Sequence, residues 1–144
     1  MNIRSKSGIT VSSLVLYVVL FFGVTTFLSI VYSNMNETMF NNRGMALNYT
    51  MLNKLEYNLV DSSANSTNVT IVNEVVTFSN GDSYYYDANK KVILLNSGIL
   101  CTSVSGFNPT LTTNGKIKKL TIEVSFNKYL ATLNRTIICS VEVA

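Results

Sequence analysis

The sequence predicts an α+β protein in which a long N-terminal helix packs on an antiparallel β-sheet. Three observations lead to this prediction. Residues 9–32 form an uncharged, largely apolar run. Further along, Met45, Leu52, Leu55 and Leu59 have heptad-like spacing, which is typical of a helix with one buried face. The remaining half alternates short β-prone runs with turns that are rich in Asn, Gly and Asp.

These patterns divide the chain into four segments. Residues 1–8 are a short basic leader, residues 9–32 are the transmembrane part of the helix, residues 33–62 are its extracytoplasmic part, and residues 63–144 are the antiparallel β domain. The chain of 144 residues therefore has room for one anchor and one small domain.

The apolar run 9–32 is long enough to cross a bilayer, which requires roughly 20 apolar residues in a helix. A cleaved secretory signal would have a shorter apolar core followed by a small-x-small site, so we favour a retained helix. Arg4 and Lys6 precede the run, and no charge follows until Glu37. Because basic residues stay on the cytoplasmic side, we expect a single-pass membrane protein with a cytoplasmic N-terminus and an extracytoplasmic C-terminal domain.

The stretch 33–44 is a weak helix former, since it contains several Asn residues and Gly44. No Pro interrupts it, so a continuous helix is compatible with the sequence. A polar loop over residues 61–68 ends the helical pattern.

The second half predicts an antiparallel meander that packs on the helix. Asn-Gly pairs at residues 80–81 and 114–115 are strong hairpin signals. Strict alternation over residues 120–126 gives the clearest strand, and residues 127–134 are predicted to be a loop. The other predicted strands cover residues 69–71, 75–78, 84–86, 91–95, 100–107 and 136–143.

Cys101 and Cys139 both fall in predicted strands of the extracytoplasmic part, where a disulfide can persist. A bridge between them would tie the end of the chain to the sheet and stabilise it by roughly 2–4 kcal/mol. The alternative is two buried free thiols that act as small hydrophobes. The sequence leaves both alternatives open, since the distance between their Cα atoms decides the matter.

The composition argues against an enzyme. There is no His, which removes the commonest general base and most zinc sites. The eight carboxylates are scattered; Asp82 and Asp87 lie in predicted turns, with too few oxygen ligands nearby to specify calcium. No phosphate-binding loop, dinucleotide fingerprint or nucleophile elbow occurs. We therefore predict no catalytic residue, metal or cofactor.

The charges also argue against nucleic-acid binding. Two of the three net positive charges lie in the leader, so the remaining chain is close to neutral. A small basic cluster, formed by Lys116, Lys118 and Lys119, is interpreted first as part of a solvated hairpin. The aromatic run Tyr84, Tyr85 and Tyr86 is interpreted first as a strand whose side chains are divided between the core and the surface.

The junction Lys6-Ser7-Gly8-Ile9-Thr10-Val11 resembles the class III leader of type IV pilins and pseudopilins. In that family a prepilin peptidase cuts after the Gly and methylates the new N-terminus. The resemblance thus implies cleavage between Gly8 and Ile9 and N-methylation of Ile9. Residues 76–87 and 91–96 also resemble the globular part of minor pseudopilins, with the closest likeness to the J-type minor pseudopilin of type II secretion and its Gram-positive relatives.

The resemblance implies a bacterial structural subunit that assembles through its apolar helix. Its partners would be the membrane, the prepilin peptidase and other pilin or pseudopilin subunits, in a type IV pilus-like, secretion or competence filament. Ser13 stands five residues after the implied cut, where the family usually has Glu, which fits a minor subunit, for example at a filament tip, better than a major pilin. The family's Pro in the span is also absent, since the only Pro is Pro109. The alternative function is an uncleaved, signal-anchored extracytoplasmic binding domain.

Overall fold

The computed structural model describes the backbone of residues 4–143 and the side chains of residues 10–143. It confirms the predicted α+β class, with one long N-terminal helix and antiparallel sheets. The helix α1 covers Arg4–Ala64, and eight strands follow it; they are β1 (Val69–Val72), β2 (Val75–Phe78), β3 (Ser83–Asp87), β4 (Val92–Leu95), β5 (Gly98–Thr102), β6 (Val104–Asn114), β7 (Ile117–Lys128) and β8 (Ala131–Glu142).

The chain forms two compact units, residues 1–39 and residues 40–144. The described part of the first unit is helix alone. Every side chain from Thr10 to Ile30 is exposed, as expected for a segment that is apolar on all sides and has no protein core to enter. The stretch 33–44 is helical throughout, so its Asn and Gly residues do not interrupt α1.

The second unit contains the C-terminal part of α1 and two antiparallel sheets. One sheet has five strands in the order β1-β2-β3-β4-β5, and the other has three strands in the order β6-β7-β8. The prediction of a single meander is therefore wrong in this respect: each sheet is a meander, and the chain changes sheet after β5. The helix ends at Ala64, two residues beyond the predicted boundary.

The change of sheet occurs at Ser103, which divides the strand predicted over residues 100–107. Ser103 has a φ of 62°, in the left-handed region that L-residues seldom adopt. Two backbone hydrogen bonds hold this corner: Asn127 N donates to Ser103 O at 2.8 Å, and Val104 N donates to Lys91 O at 3.0 Å. These partners come from β7 and from the residue preceding β4, so local sequence alone does not specify the corner.

Two further details differ from the prediction in the three-stranded sheet. Pro109, which lies beyond the strand predicted over residues 100–107, is inside β6 and is paired with Ile122. Its position is tolerated because β6 is an edge strand of this sheet, where a missing N–H need not break a ladder. The predicted loop 127–134 is instead a tight turn, in which only Tyr129 and Leu130 separate β7 from β8.

The core of the second unit lies between α1 and the inward faces of both sheets. The helix contributes Leu52, Leu55 and Leu59, as the heptad-like spacing predicted. The alternation predicted for β7 is also present. Nine apolar side chains on the inward faces of β7 and β8 are buried; they are Leu120, Ile122, Val124, Phe126, Ala131, Leu133, Ile137, Cys139 and Val141.

Candidate functional site

The apolar segment of α1 is the first candidate for a functional surface. The helical segment Thr10–Ala64 contains an apolar stretch of which no part is buried, and it is long and apolar enough to cross a membrane. Its hydroxyl groups are compatible with lipid, because Thr25, Thr26 and Ser29 donate to the carbonyl oxygens four residues earlier. Because each of these three hydroxyl groups has a partner inside the helix, none of them would enter lipid with an unsatisfied donor.

The predicted cleavage and methylation site, Gly8 and Ile9, lies in the helical backbone of α1. The side chains of residues 4–9 lie outside the described residues, as does all of Met1–Ile3 in the predicted leader. Processing at this junction therefore stays a prediction.

The second candidate is the face of α1 that packs on the sheets. Besides the predicted leucines, it buries Gly44, Asn48 and Ser62 at spacings that continue the same stripe. A β-carbon at Gly44 would overlap the Lys128 carbonyl oxygen and lie 3.1 Å from Ala131 Cβ. The helix backbone therefore approaches the β7–β8 turn too closely for any larger residue at this position.

Asn48 gives this contact its polar component. It is 1 % exposed, and its side-chain amide donates to the Ala131 carbonyl oxygen at 3.0 Å. A buried amide without a partner would cost free energy, so this bond fixes where the β7–β8 turn can lie against the helix. Periodicity did not reveal Asn48, because a polar residue at a core position looks like a solvent-facing one.

A hydrogen-bonded cluster joins the last turns of α1 to the turn between β2 and β3. The Asp82 carboxylate accepts from Ser62 Oγ at 2.7 Å, from Asn80 Nδ2 at 2.7 Å and from Asn96 Nδ2 at 3.0 Å. The Ser62 hydrogen bond, followed by those of Asn80 and Asn96, lowers the pKa of Asp82 despite an opposing desolvation effect. The buried Tyr84 hydroxyl lies 2.7 Å from Ser62 Oγ, and burial raises the pKa of Tyr84 to about 12.

The hydrogen bonds of this cluster indicate a structural role, namely holding the β2–β3 turn on the helix. Both oxygens of Asp82 are occupied by donors from the chain itself. Asp87 is engaged in its own turn, where Oδ1 accepts from the backbone N–H groups of Asn89 and Lys90. Within residues 4–143, no group of three or more His, Cys, Asp or Glu side chains is arranged to hold a metal ion.

The two cysteines are buried free thiols in this structure, which is the second of the two alternatives that the sequence leaves open. Cys101 Sγ, in β5, contacts the Met51 carbonyl oxygen at 3.3 Å. Cys139, in β8, is hydrogen-bonded with Ser63, and desolvation raises the pKa of its thiol. Met51 and Ser63 are twelve residues apart on α1, about 18 Å along the axis, whereas bridged cysteines need Cα atoms within about 7 Å.

The basic side chains around the start of β7, Lys116, Lys118 and Lys119, have different surroundings. Lys118 Nζ donates to Asn68 Oδ1 at 2.7 Å and to the Val69 carbonyl oxygen at 3.1 Å, so it links the three-stranded sheet to β1 of the other sheet. Lys116 and Lys119 are exposed. The aromatic run also divides, as the sequence indicated: Tyr84 is in the core, whereas Tyr85 is 49 % exposed.

A third candidate surface surrounds the β7–β8 turn. Tyr129 is 51 % exposed and Leu130 is 65 % exposed, although both are large and carry apolar surface. The centre of the Tyr129 ring lies 6.0 Å from the centre of the Phe40 ring on α1, and Lys128 Nζ lies 5.4 Å from the centre of the Tyr129 ring. Tyr129 also has a φ of 54°, which is unusual for an aromatic residue. Nothing in the sequence pattern marked this turn, which was predicted to be a longer loop.

No protein-family model, no curated protein and no solved structure matches this chain.

Proposed function

We propose that this chain is a structural, non-enzymatic subunit of the minor pilin or pseudopilin kind. In this proposal α1 anchors it in the cell membrane, with the N-terminus cytoplasmic and the β domain extracytoplasmic. The observation that carries the proposal is the division of α1. Residues 10–30 expose every side chain, whereas Leu52, Leu55 and Leu59 form part of the core of a β domain.

The physical argument concerns the exposed apolar surface. A surface of this size is not stable in water, so it requires lipid or other apolar helices around it. A membrane supplies the first environment, and the helices of neighbouring subunits supply the second. Contacts that join different faces of successive subunits do not close on themselves and therefore build a helical fibre.

Cleavage of the leader would allow the apolar helix to move from the membrane to the helices of neighbouring subunits. The junction at Gly8 and Ile9 has the form that a prepilin peptidase cuts, and removal of Arg4 and Lys6 with the leader takes away the charges that hold the N-terminus at the cytoplasmic surface. The methylated Ile9 would then begin an apolar helix whose only charge before Glu37 is its own N-terminal amine. Ser13 brings no carboxylate to the N-terminus of a neighbouring subunit, which favours a minor subunit over a repeated major one.

An uncleaved, signal-anchored binding domain is the second candidate. One observation favours it: a shallow recess of about 490 Å³ on the three-stranded sheet, lined in part by Glu123, Ser125, Asn134 and Arg135. Such a polar recess can accept a polar ligand or partner. In this case the apolar helix would act only as a tether.

The deciding experiment is the intact mass and N-terminal sequence of the full chain extracted from its native membrane. A chain that begins at Ile9 and carries one added methyl group would support the pilin-like route. Gly8→Leu is the matched control, because it should block cleavage while leaving the span apolar. A chain that starts at Met1 under every growth condition, and that never co-purifies with pilin subunits, would overturn the proposal in favour of the tethered domain.

A further inference from the structure

The β7–β8 turn combines residues that are characteristic of a membrane interface. Its tip carries the half-buried Lys128, followed by the exposed Tyr129 and Leu130. Phe40 packs beside Tyr129, and Arg43 is exposed on the same part of α1. Aromatic residues with one polar end, and basic residues with long apolar stems, are enriched where hydrocarbon meets headgroups.

The charged residues of this surface, Lys128 and Arg43, are both basic. Gly44, next to Arg43, meets the backbone carbonyl of Lys128, so the two basic residues come from neighbouring parts of the fold. No acidic residue lies between Glu37 and Glu56, and none lies between Glu123 and Glu142. Glu37, three residues before Phe40, is the nearest acidic residue along α1. The two basic side chains are attracted to anionic lipid headgroups.

Covalent connection keeps this tip within reach of the bilayer. Phe40, which contacts Tyr129, is only eight residues beyond Tyr32, where the apolar run ends. Even a fully extended chain of eight residues spans no more than about 28 Å. The headgroup layer itself occupies roughly 5–8 Å on each side of the hydrocarbon core.

The backbone of the turn adds an independent observation. Among the described non-glycine residues with positive φ, Tyr129 is the only aromatic one. Asn or Gly would adopt this conformation with less strain. The contacts with Phe40 and Lys128 use part of the ring, and half of the side chain is still exposed. Strain at an exposed position is compatible with a role for the side chain outside the domain.

We infer that the Lys128–Tyr129–Leu130 turn, together with Phe40 and Arg43, is a lipid-contact surface that docks the β domain on anionic headgroups of the membrane that holds the span. The surface needs α1 to remain in a bilayer, but it does not need the leader to be cut. It would hold the β domain at the membrane before assembly, and it would be released when the helix leaves the bilayer.

The absence of Trp from the chain allows a direct test. Tyr129→Trp introduces a single indole at the turn. Ile117→Trp is the matched control, since Ile117 lies at the opposite end of the same strand and is also 51 % exposed. The full, uncleaved chain of each variant is reconstituted in vesicles of phosphatidylcholine and phosphatidylglycerol, with and without brominated acyl chains that quench nearby indoles.

We expect brominated lipid to reduce emission about twofold at position 129 and to leave position 117 nearly unchanged, because an interfacial side chain lies within roughly 5–10 Å of the acyl boundary. Lys128→Gln in the Tyr129→Trp background should lower the ratio of docked to undocked domain about fivefold, the effect of one basic residue near an anionic surface. Leu130→Trp provides a second probe if Tyr129→Trp fails to give a native circular dichroism spectrum.

Quenching at positions 129 and 130 that does not exceed the quenching at position 117 would overturn the inference. This result would leave the processing route standing, since cleavage at Gly8 is measured separately by mass. Conversely, an intact N-terminus in native membranes would overturn that route and leave the lipid contact standing.

Discussion

Ser62 Oγ donates a 2.7 Å hydrogen bond to Asp82 Oδ2 and thereby joins the last turns of α1 to the turn between β2 and β3. The same oxygen lies 2.7 Å from the buried Tyr84 hydroxyl. A serine hydroxyl can donate one hydrogen bond, and that of Ser62 is donated to Asp82, so Tyr84 must be the donor in the second bond. Ser62 is therefore the group that satisfies both a carboxylate and a buried phenol.

Ser62→Ala is expected to reduce the free energy of unfolding by about 1–3 kcal/mol, because it leaves the Tyr84 hydroxyl buried without a partner. Urea unfolding of the full chain in detergent micelles, followed by near-UV circular dichroism, measures the change. Thr50→Ala is the control: its hydroxyl is exposed and bonds only to Ala46 O within the helix. Equal losses in the two variants would contradict the role assigned to Ser62.

The lowered pKa of Asp82 predicts loss of stability in acid. A carboxylate whose pKa is lower in the folded state stabilises the fold fully above its ordinary value of 3.8, and this contribution is lost as the pH falls through the lower folded value. We expect the melting temperature of the wild-type chain to fall in this range, and that of Asp82→Asn to fall less. Parallel curves of melting temperature against pH for the two chains would show that Asp82 is not responsible for the loss of stability in acid.

Gly44→Ala is expected to destabilise the second unit, although Ala normally favours a helix over Gly by about 1 kcal/mol. The added β-carbon would overlap the Lys128 carbonyl oxygen, so the β7–β8 turn must move, at a cost of roughly 1–3 kcal/mol. Gly23→Ala is the matched control, because a β-carbon there meets nothing within 4 Å. Thermal unfolding should separate the two; a stabilised Gly44→Ala chain would be the contrary result.

The two cysteines are expected to remain reduced and to react slowly. Burial raises the pKa of the Cys101 thiol to about 11, so little thiolate is present near neutral pH. Iodoacetamide should therefore modify neither cysteine in the folded chain, and both after denaturation without a reducing agent. An intact mass lower by two hydrogens, with no alkylation after denaturation, would instead establish the bridge between Cys101 and Cys139.

Local sequence was sufficient for the parts of the fold that depend on short-range pattern. The uncharged run 9–32 specified a helix able to cross a membrane, because only internal hydrogen bonding satisfies its backbone in lipid. The spacing of Leu52, Leu55 and Leu59 specified the buried face of the second part of α1. The alternation in β7 specified that strand, since side chains on a strand repeat every two residues, and the two Asn-Gly pairs specified the turns that precede β3 and β7.

Only the tertiary structure decided how distant residues meet. The turn at Ser103 divides the strands into two sheets through hydrogen bonds to Lys91 and Asn127, which are remote in the chain. Gly44, Asn48 and Ser62 looked like poor helix residues or solvent-facing ones, yet each is buried against the β domain. Periodicity records which side chains are apolar, whereas close approach and hydrogen-bond pairing depend on the partner surface. For the same reason, the separation of Cys101 from Cys139 and the tight Tyr129–Leu130 turn emerged only once the sheets were assembled on the helix.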